Sequence, residues 1–579
     1  MIFLRKITKI YNTAWRGMSK FSLGLDFGSN SVRAVIIETA TGAEAGCGSR
    51  VYDGGEQGVF TDKSDPHVAR QCPEAYVRAM AAAVKDALEA AKAFKGFNAG
   101  NIIGIGVDTT GSTPIPVTAD LTPLSAIDKF KNNLSAKAWM WKDHTSVEEA
   151  AKITAAAAEF RPHYLKKCGG TYSSEWFFSK IWHCLNTDPE VFNAAGTWLE
   201  FCDYIPAVLC GIKDPSAVKR SVCAAGHKAM FCAEWGGLPD AEFLGKLNPA
   251  LAALRARLYD KAWTADITAG SLCAGWADKL SLPKGIPVAV GAFDAHMGAV
   301  GAGVGGASLV KIIGTSTCDI MIAPADHKLP DIQGVCGIVN GSVTPGFYGI
   351  EAGQSAVGDI FNWFVSKVCC GDHSLFKTLD AEAAALAPGE SGLLALDWNN
   401  GNRCVLVNPR LSGLLVGQTL HSSQAEIYRA LIEGTAFGAK KIIDRLEENG
   451  VHIAEIINCG GIAEKNPLFM SVYADILGRD MKVSASSQTC ALGAAIFGAV
   501  AAGPENGGFA SVQDAQKTVC SFREKVYRPN PANREIYAKL YSLYSELHDS
   551  FGVKGASSGH SELMGKLMDI RASARRAGK

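Results

Sequence analysis

The chain reads as an α/β protein built from two similar domains, and three observations predict this. Short apolar strands alternate with helix-like stretches throughout. A strand, a glycine-and-hydroxyl turn and a second strand occur twice, as LGLDFGSNSVRAVII and again as VKIIGTSTCDIMIA. At 579 residues and 47% apolar content, the chain can bury more than one sizeable core. A formal net charge of zero argues against a polyanion such as nucleic acid as partner. No uncharged apolar run of about 18 residues occurs, so no membrane span is expected. The 17 cysteines are odd in number, scattered and without a C-x-x-C pair, which reads as reduced thiols in a cytoplasmic protein.

Residues 1–20 carry five basic residues and no acid but lack the apolar core of a secretory signal. They are expected to be an extension, with Met18 as the natural start. In FSLGLDFGSNSVRAVII, Leu23, Leu25 and Phe27 alternate before Gly28, and Val32, Ala34 and Ile36 alternate after it. Gly28, Ser29, Asn30 and Ser31 offer the donors of an anion nest, and Asp26 at the strand end suits a magnesium ion held through water. A plain hairpin with a polar turn fits the same residues. NIIGIGVDTTGSTPIPV is a further buried strand, ending in Asp108 and a Thr/Gly/Ser loop. In WKDHTSVEEA, Thr145 and Glu148 fit a capping box. SEWFFSKIWHCLN and EFCDYIPAVLCG have the apolar spacing of core helices.

IPVAVGAF then leads a strand into GAFDAHMGAVGAG, where Asp294 stands alone among small apolar residues. A helix N-cap is one reading of such an acid. The other follows from SLVKIIGTSTCDIMIA, two strands joined by Gly314, Thr315 and Ser316. A carboxylate near a glycine-and-hydroxyl hairpin supplies what phosphoryl transfer needs: a base for an acceptor hydroxyl and a backbone cradle for phosphate. Residues 387–404 are turn-rich and read as a surface insertion. SQAEIYRALIEGTAFGAKKIIDRLEENG is a long amphipathic helix stopped by Gly450. IINCGGIAEKNPLF gives a strand, Gly460 and Gly461, then a helix capped by Asn466 with Pro467 at its first position. The small residues of CALGAAIFGAVAAG suit close packing against the second domain's sheet. From Gly552 the tail is rich in Gly, Ser, Lys and Arg.

Two tempting motifs fail on context. Gly301, Gly303 and Gly306 satisfy G-x-G-x-x-G, but a strand follows instead of a helix. No G-x-x-x-x-G-K-[ST] occurs, so a P-loop is not the source of nucleotide binding. His144 and His296 have no second ligand at metal spacing on their own elements.

The stretches GLDFGSNSVRA, GVDTTGSTP, WKDHTSVEEA, YSSEWFFSKIWH, CAAGHKAM, GAFDAHMGAVGAG, IGTSTCDI, GIEAGQSAVGDI, GGIAEKN and CALGAAIFGAV run in one family's order from about Phe21 to about Tyr544. They resemble the FGGY carbohydrate kinases, a branch of the sugar kinase, actin and Hsp70-type ATPase superfamily. Within that family they are most similar to the branch that phosphorylates L-ribulose in L-arabinose catabolism. The resemblance implies two actin-like (ribonuclease H-like) domains with an ATP/sugar cleft between them, over residues 21–290 and 291–551, flanked by the 1–20 extension and a 552–579 tail.

Carried over residue by residue, the resemblance makes Asp294 the catalytic base and Asp26 the acid that organises Mg2+. Gly28, Ser29 and Asn30 match the first phosphate turn; Asn30 departs from the acid expected there. Gly314, Thr315 and Ser316 match the second phosphate turn, and Gly460, Gly461 and Asn466 match the adenosine site. Gly111 through its backbone, Lys228 and Glu351 match sugar contacts. Trp141 suits stacking on the sugar's apolar edge, although a core tryptophan and a solvated Lys228 are the plain readings of those two. The implied partners are ATP, Mg2+ and a small sugar, with no nucleic acid and no membrane; a homodimer is compatible with this. Another pentulose or polyol (D-ribulose, D-xylulose, ribitol, glycerol), a non-catalytic sugar sensor and a filament-forming or chaperone ATPase are the alternatives on the same fold.

Overall fold

The computed structural model describes residues 19–326, 329–555 and 560. The extension with its Met18 start, and nearly all of the tail after Gly552, lie outside the described residues. The chain forms two compact units. The first comprises residues up to Gly303 with Val339–Tyr348 and Gln488–Cys520; the second comprises Val304–Ile338, Gly349–Ser487 and the residues from Ser521 onward.

The first unit is organised on a seven-stranded mixed sheet. Its order is Glu44–Val51, Ser31–Glu38, Phe21–Phe27, Ile102–Thr109, Pro287–Ala289 and Thr268–Ser271, with Ala292–Phe293 also pairing Ile102–Thr109. Phe21–Phe27 pairs antiparallel with Ser31–Glu38 as the expected hairpin, and parallel with Ile102–Thr109. Every residue of those two central strands is buried, as a sheet covered on both faces requires. Helix Pro73–Ala91 packs where glycines let it approach: a Cβ on Gly48 would lie 2.2 Å from Ala83 O. A second core gathers around Trp139, Phe177, Phe178 and Trp198. Phe177–Thr187 and Phe201–Cys210 are core helices, as the apolar spacing predicts.

Three expectations are corrected by the packing. Helix Thr489–Ala502 does not pack on the second domain's sheet. It lies against the first, where a Cβ on Gly24 would meet Ala491 O at 1.9 Å and one on Gly104 would meet Gly498 O at 2.1 Å. Its Gly493 likewise sits on helix Asp294–Gly301, a Cβ there falling 1.8 Å from Met297 O. Small residues on both sides bring backbone onto backbone. The compact units therefore divide at Gly303, beyond the boundary expected near residue 290, and residues 488–520 return to the first.

The second correction concerns the capping box at Thr145. Helix Val147–Phe160 is preceded by Ser146, whose hydroxyl donates to Ser174 O (2.9 Å) instead of capping. Asp143 draws Thr145 away, accepting from its N–H and hydroxyl while pairing with buried Arg70. A tertiary ion pair has overridden the local signal.

A six-stranded sheet, in the second unit except for residues 339–340 and 347–348, runs Gly337–Asn340, Phe347–Ala352, Thr317–Pro324, Ser308–Ile313, Glu455–Cys459, Met481–Val483. Ser308–Ile313 and Thr317–Pro324 form the second hairpin, antiparallel as predicted. The 25-residue helix Gln424–Glu448 opens on a Ser423–Glu426 capping box and closes at Asn449 and Gly450. The third correction falls on residues 387–404. Leu394–Leu396 is a strand, Leu393 and Trp398 are buried, and Asp397 accepts from Gln354 Nε2 (2.7 Å) and the Tyr544 hydroxyl (2.9 Å). Turn residues at its ends masked a core segment. All 17 cysteines are free thiols.

Helix Pro531–Gly552 covers this segment with buried Tyr537, Tyr544 and His548. The His548 ring lies 5.3 Å from that of Trp398. Burial pushes its pKa down from 6.5 to about 4. Between those values the unfolded chain binds a proton that the folded one does not, so stability falls as the pH drops. The loss is at most about 1.4 kcal/mol per pH unit. His548→Phe is expected to flatten the decline of Tm from pH 6.5 toward pH 4; an unchanged slope would rule His548 out as its source.

Candidate active site

Strand register assembles the acidic part of the site in the first unit. Asp26 is paired with Asp108 across adjacent parallel strands, and Asp108 is paired with Ala292, two residues before Asp294. Asp294 opens helix Asp294–Gly301 as its first residue, Phe293 holding the cap position, and its Oδ1 accepts from Ala295 N–H at 2.7 Å. The N-cap reading is thereby set aside. Arg33 Nη1 donates to Asp26 Oδ2 at 3.0 Å. Burial raises the Asp26 pKa against the opposing charge of Arg33. Burial, then the charges of Asp26 and Asp294, hold Asp108 well above the carboxylate range.

Neither oxygen of Asp108 accepts a hydrogen bond from a protein donor, although the side chain is fully buried. A buried acid without a donor, beside two further carboxylates, fits a divalent cation. The sequence marked Asp108 only as a strand end. The available signal was an acid closing the otherwise apolar run IIGIGVD.

The first turn follows directly. Gly28 N–H donates to Ser31 O at 2.9 Å. Ser29 Oγ accepts from Trp141 Nε1 at 3.0 Å, and Ser29 O accepts from Gln71 Nε2 at 2.8 Å. The Asn30 side-chain amide donates to Gln57 O at 2.9 Å. Gly111 and Trp141 are neighbours, a Cβ on Gly111 falling 3.8 Å from Trp141 Cβ. Trp141 is half-buried, neither a core residue nor a free one. Lys228 ends helix Val222–Lys228 and is 8% exposed, with Nζ 5.4 Å from the Trp176 ring centroid and 5.9 Å from that of Phe293. The solvated reading of Lys228 therefore fails.

The nucleotide-side candidates and Glu351 belong to the second unit. Gly314 N–H donates to Ser316 O, while the Gly314 and Thr315 carbonyls accept from Gly358, Val357 and Asp359. The turn's acceptors are thus committed to the fold, and Gly314 and Thr315 are exposed. Gly460, at φ 100°, presses on the same hairpin, where a Cβ would fall 2.2 Å from Ile313 O. Asn466 caps helix Pro467–Leu477 by accepting from Phe469 N–H at 2.9 Å, and its amide donates to Asp380 Oδ1 at 2.8 Å. Its side chain thus positions the helix. Glu351 is buried on strand Phe347–Ala352.

The glycines separate into two kinds. Those under helix Thr489–Ala502 exist because protein backbone lies on them. Those of the turns do not: a Cβ would meet only Ser31 O at 3.4 Å from Gly28, only Ser316 O at 4.0 Å from Gly314, and nothing within 4 Å from Gly461. None of the three has a positive φ. The space beside them is open, as a ligand lying against backbone requires. Gly461→Leu is accordingly expected to raise the KM for ATP by about tenfold, ~1.4 kcal/mol, with Tm shifted by less than about 2 °C. A lowered Tm with unchanged KM would make Gly461 a packing glycine instead.

Comparison with known proteins identifies the family. The family described as "FGGY family of carbohydrate kinases" matches through its N-terminal domain over residues 21–301 and its C-terminal domain over residues 309–502. A Vibrio parahaemolyticus protein named ribulokinase is 41% identical, covering 91% of this chain and 95% of that protein. Proteins of the same name from Shouchella clausii and Mycolicibacterium smegmatis are 38% and 37% identical over 96% and 97% of the chain, and over 99% and 98% of their own lengths. Among solved structures, xylulose kinase from Rhodospirillum rubrum superposes with a TM-score of 0.75 at 21% identity over 92% of this chain and 99% of its own. Plasmodium falciparum glycerol kinase with ADP gives 0.71 at 16% identity over 92% of this chain and 98% of its own. Among the described residues, no helix is long and apolar enough to cross a membrane. With both halves matched and a constellation of acids and open glycine turns in place, the chain belongs to the FGGY family of carbohydrate kinases and is an ATP-dependent sugar kinase.

Proposed function

We propose that this kinase transfers the γ-phosphoryl group of ATP to the terminal hydroxyl of L-ribulose, giving L-ribulose 5-phosphate and ADP in the cytoplasmic breakdown of L-arabinose. The observation that carries the choice of acceptor is 41% identity over 91% of the chain to a protein named ribulokinase. The chemistry follows from the acids. Asp294 accepts the proton of the acceptor hydroxyl as its oxygen attacks the γ-phosphorus and the bond to the bridging oxygen of ADP breaks. A carboxylate is a weak base, so most of the acceleration comes from orientation and charge neutralisation.

Asp26, with Asp108 beside it, would hold a divalent cation, Mg2+, whose positive charge offsets that building on the phosphates. Ser29 and Asn30, and likewise Thr315 and Ser316, present backbone or hydroxyl donors to phosphate oxygens, while Gly28 and Gly314 leave room for the phosphate to approach. Gly461 leaves backbone bare for adenosine, and Gly460 seats it against the second hairpin. Gly111, Trp141, Lys228 and Glu351 orient the pentulose, the ammonium and carboxylate hydrogen-bonding its hydroxyls.

The test is the identity of the product. Phosphorus and carbon NMR of the reaction with L-ribulose should show one phosphate on C5, formed one for one with ADP. Phosphate on another oxygen, or ADP formed without a sugar phosphate, would contradict the assignment.

A further inference from the structure

Helix Phe177–Thr187 carries a lysine that no solvent reaches. Lys180 is fully buried, and its Nζ donates to Ser112 O at 2.8 Å, Met140 O at 2.7 Å and Trp139 O at 3.4 Å. Those carbonyls belong to two separate segments, the loop at Ser112 and the end of strand Ala138–Trp139 with the residue after it. Ser112 directly follows Gly111, and Met140 directly precedes Trp141.

The first loop is gripped from its other side by Glu200, also buried, at the end of strand Thr197–Glu200. Glu200 Oε1 accepts from Ser112 Oγ at 2.6 Å and Oε2 from Thr113 N–H at 2.8 Å. Strand register sets this up, since Glu200 lies opposite Pro114. Thr113 Oγ1 then donates to Gly111 O at 2.8 Å, fixing the Gly111 peptide itself.

Burying an ammonium and a carboxylate is costly, and packing alone would be met by apolar side chains of similar length. Burial lowers Lys180 and raises Glu200, each to about 7. The other charges acting on Lys180 are Glu175, Arg70 and Lys228. What the buried ammonium accomplishes, and a methionine would not, is to tie three main-chain carbonyls from two separate segments to one point.

We propose that Lys180 is a positioning residue for the acceptor sugar, clamping the Gly111–Ser112 turn to the Met140–Trp141 segment so that the Gly111 backbone and the Trp141 ring meet the pentulose in fixed relation, with Glu200 as the opposing clamp. This rests on Gly111 and Trp141 being the sugar contacts. Lys180 touches no substrate; it acts through the carbonyls it holds.

The experiment is steady-state kinetics of Lys180→Met, Glu200→Gln and Trp141→Ala, each with sugar varied at saturating ATP and ATP varied at saturating sugar. Lys180→Met should raise the KM for the sugar by about tenfold and leave the KM for ATP within about twofold. Glu200→Gln keeps the shape and one acceptor, so its rise should be about threefold, and it carries the proposal should Lys180→Met fail to fold. A lowered Tm with the sugar KM unchanged in whichever variants fold, while Trp141→Ala raises it, would overturn the clamp and leave the sugar site standing. An unchanged sugar KM in Trp141→Ala as well would remove the sugar-site reading and the clamp with it.

Discussion

Asp294→Asn is expected to lower kcat by roughly 10²–10⁴-fold, with the KM for ATP changed by less than about twofold. The substitution is matched in shape, and the asparagine Oδ1 can still accept from Ala295 N–H, the bond that seats the side chain at the start of its helix. What is lost is the capacity to take a proton. Asp26 and Asp108 cannot substitute: both are buried in the sheet, and Asp26 already accepts from Arg33. A variant that retained turnover would remove Asp294 from proton transfer and leave it as a helix-opening residue. A variant that lost ATP affinity as well would mean that its charge serves the nucleotide.

The second large effect is on stability. Gly106→Ala should destabilise the protein by about 3 kcal/mol or more, the upper part of the overpacking range. A Cβ there would lie 1.7 Å from Ala494 O and 2.5 Å from Ala494 C, and both are backbone. No rotamer change relieves such a contact. The strand Ile102–Thr109 and the helix Thr489–Ala502 would have to separate, and with them the neighbouring Gly24 contact on Ala491. Against a typical total of about 5–15 kcal/mol, that is a large fraction. Gly275→Ala is the control, since its Cβ meets nothing within 4 Å at an exposed position of helix Ala274–Leu280, and it should be neutral or stabilising by up to about 1 kcal/mol. Equal midpoints in urea for the wild type and Gly106→Ala would contradict the close approach.

The two hairpins were legible because alternation and a glycine-and-hydroxyl turn are local signals, and the sheet kept them. The same holds for the Asn466 cap and the Gly450 stop. Where the reading failed, a distant partner decided. Small residues in CALGAAIFGAV promise a close backbone neighbour but do not name it, and the neighbour proved to be the strands Phe21–Phe27 and Ile102–Thr109, far earlier in the chain. Thr145 and Glu148 spell a capping box, yet Asp143 is held by Arg70 and takes the threonine with it. Trp398 and Asp397 sit in turn-rich sequence, and only Gln354 and Tyr544 make them core. Asp108 was visible as an acid closing an apolar strand; its importance appears only when register sets it between Asp26 and the strand leading to Asp294. Lys180 gave no signal beyond being polar on an apolar helix, since its acceptors are carbonyls of remote segments.

The most direct measurement is ADP release with Mg-ATP and each of L-ribulose, D-ribulose, D-xylulose, ribitol and glycerol, with Asp294→Asn run in parallel. The expected result is the highest kcat/KM for L-ribulose, lowered by about a hundredfold or more in the variant. Equal or better turnover of another acceptor, or sugar-dependent turnover near the wild-type rate in Asp294→Asn, would contradict it.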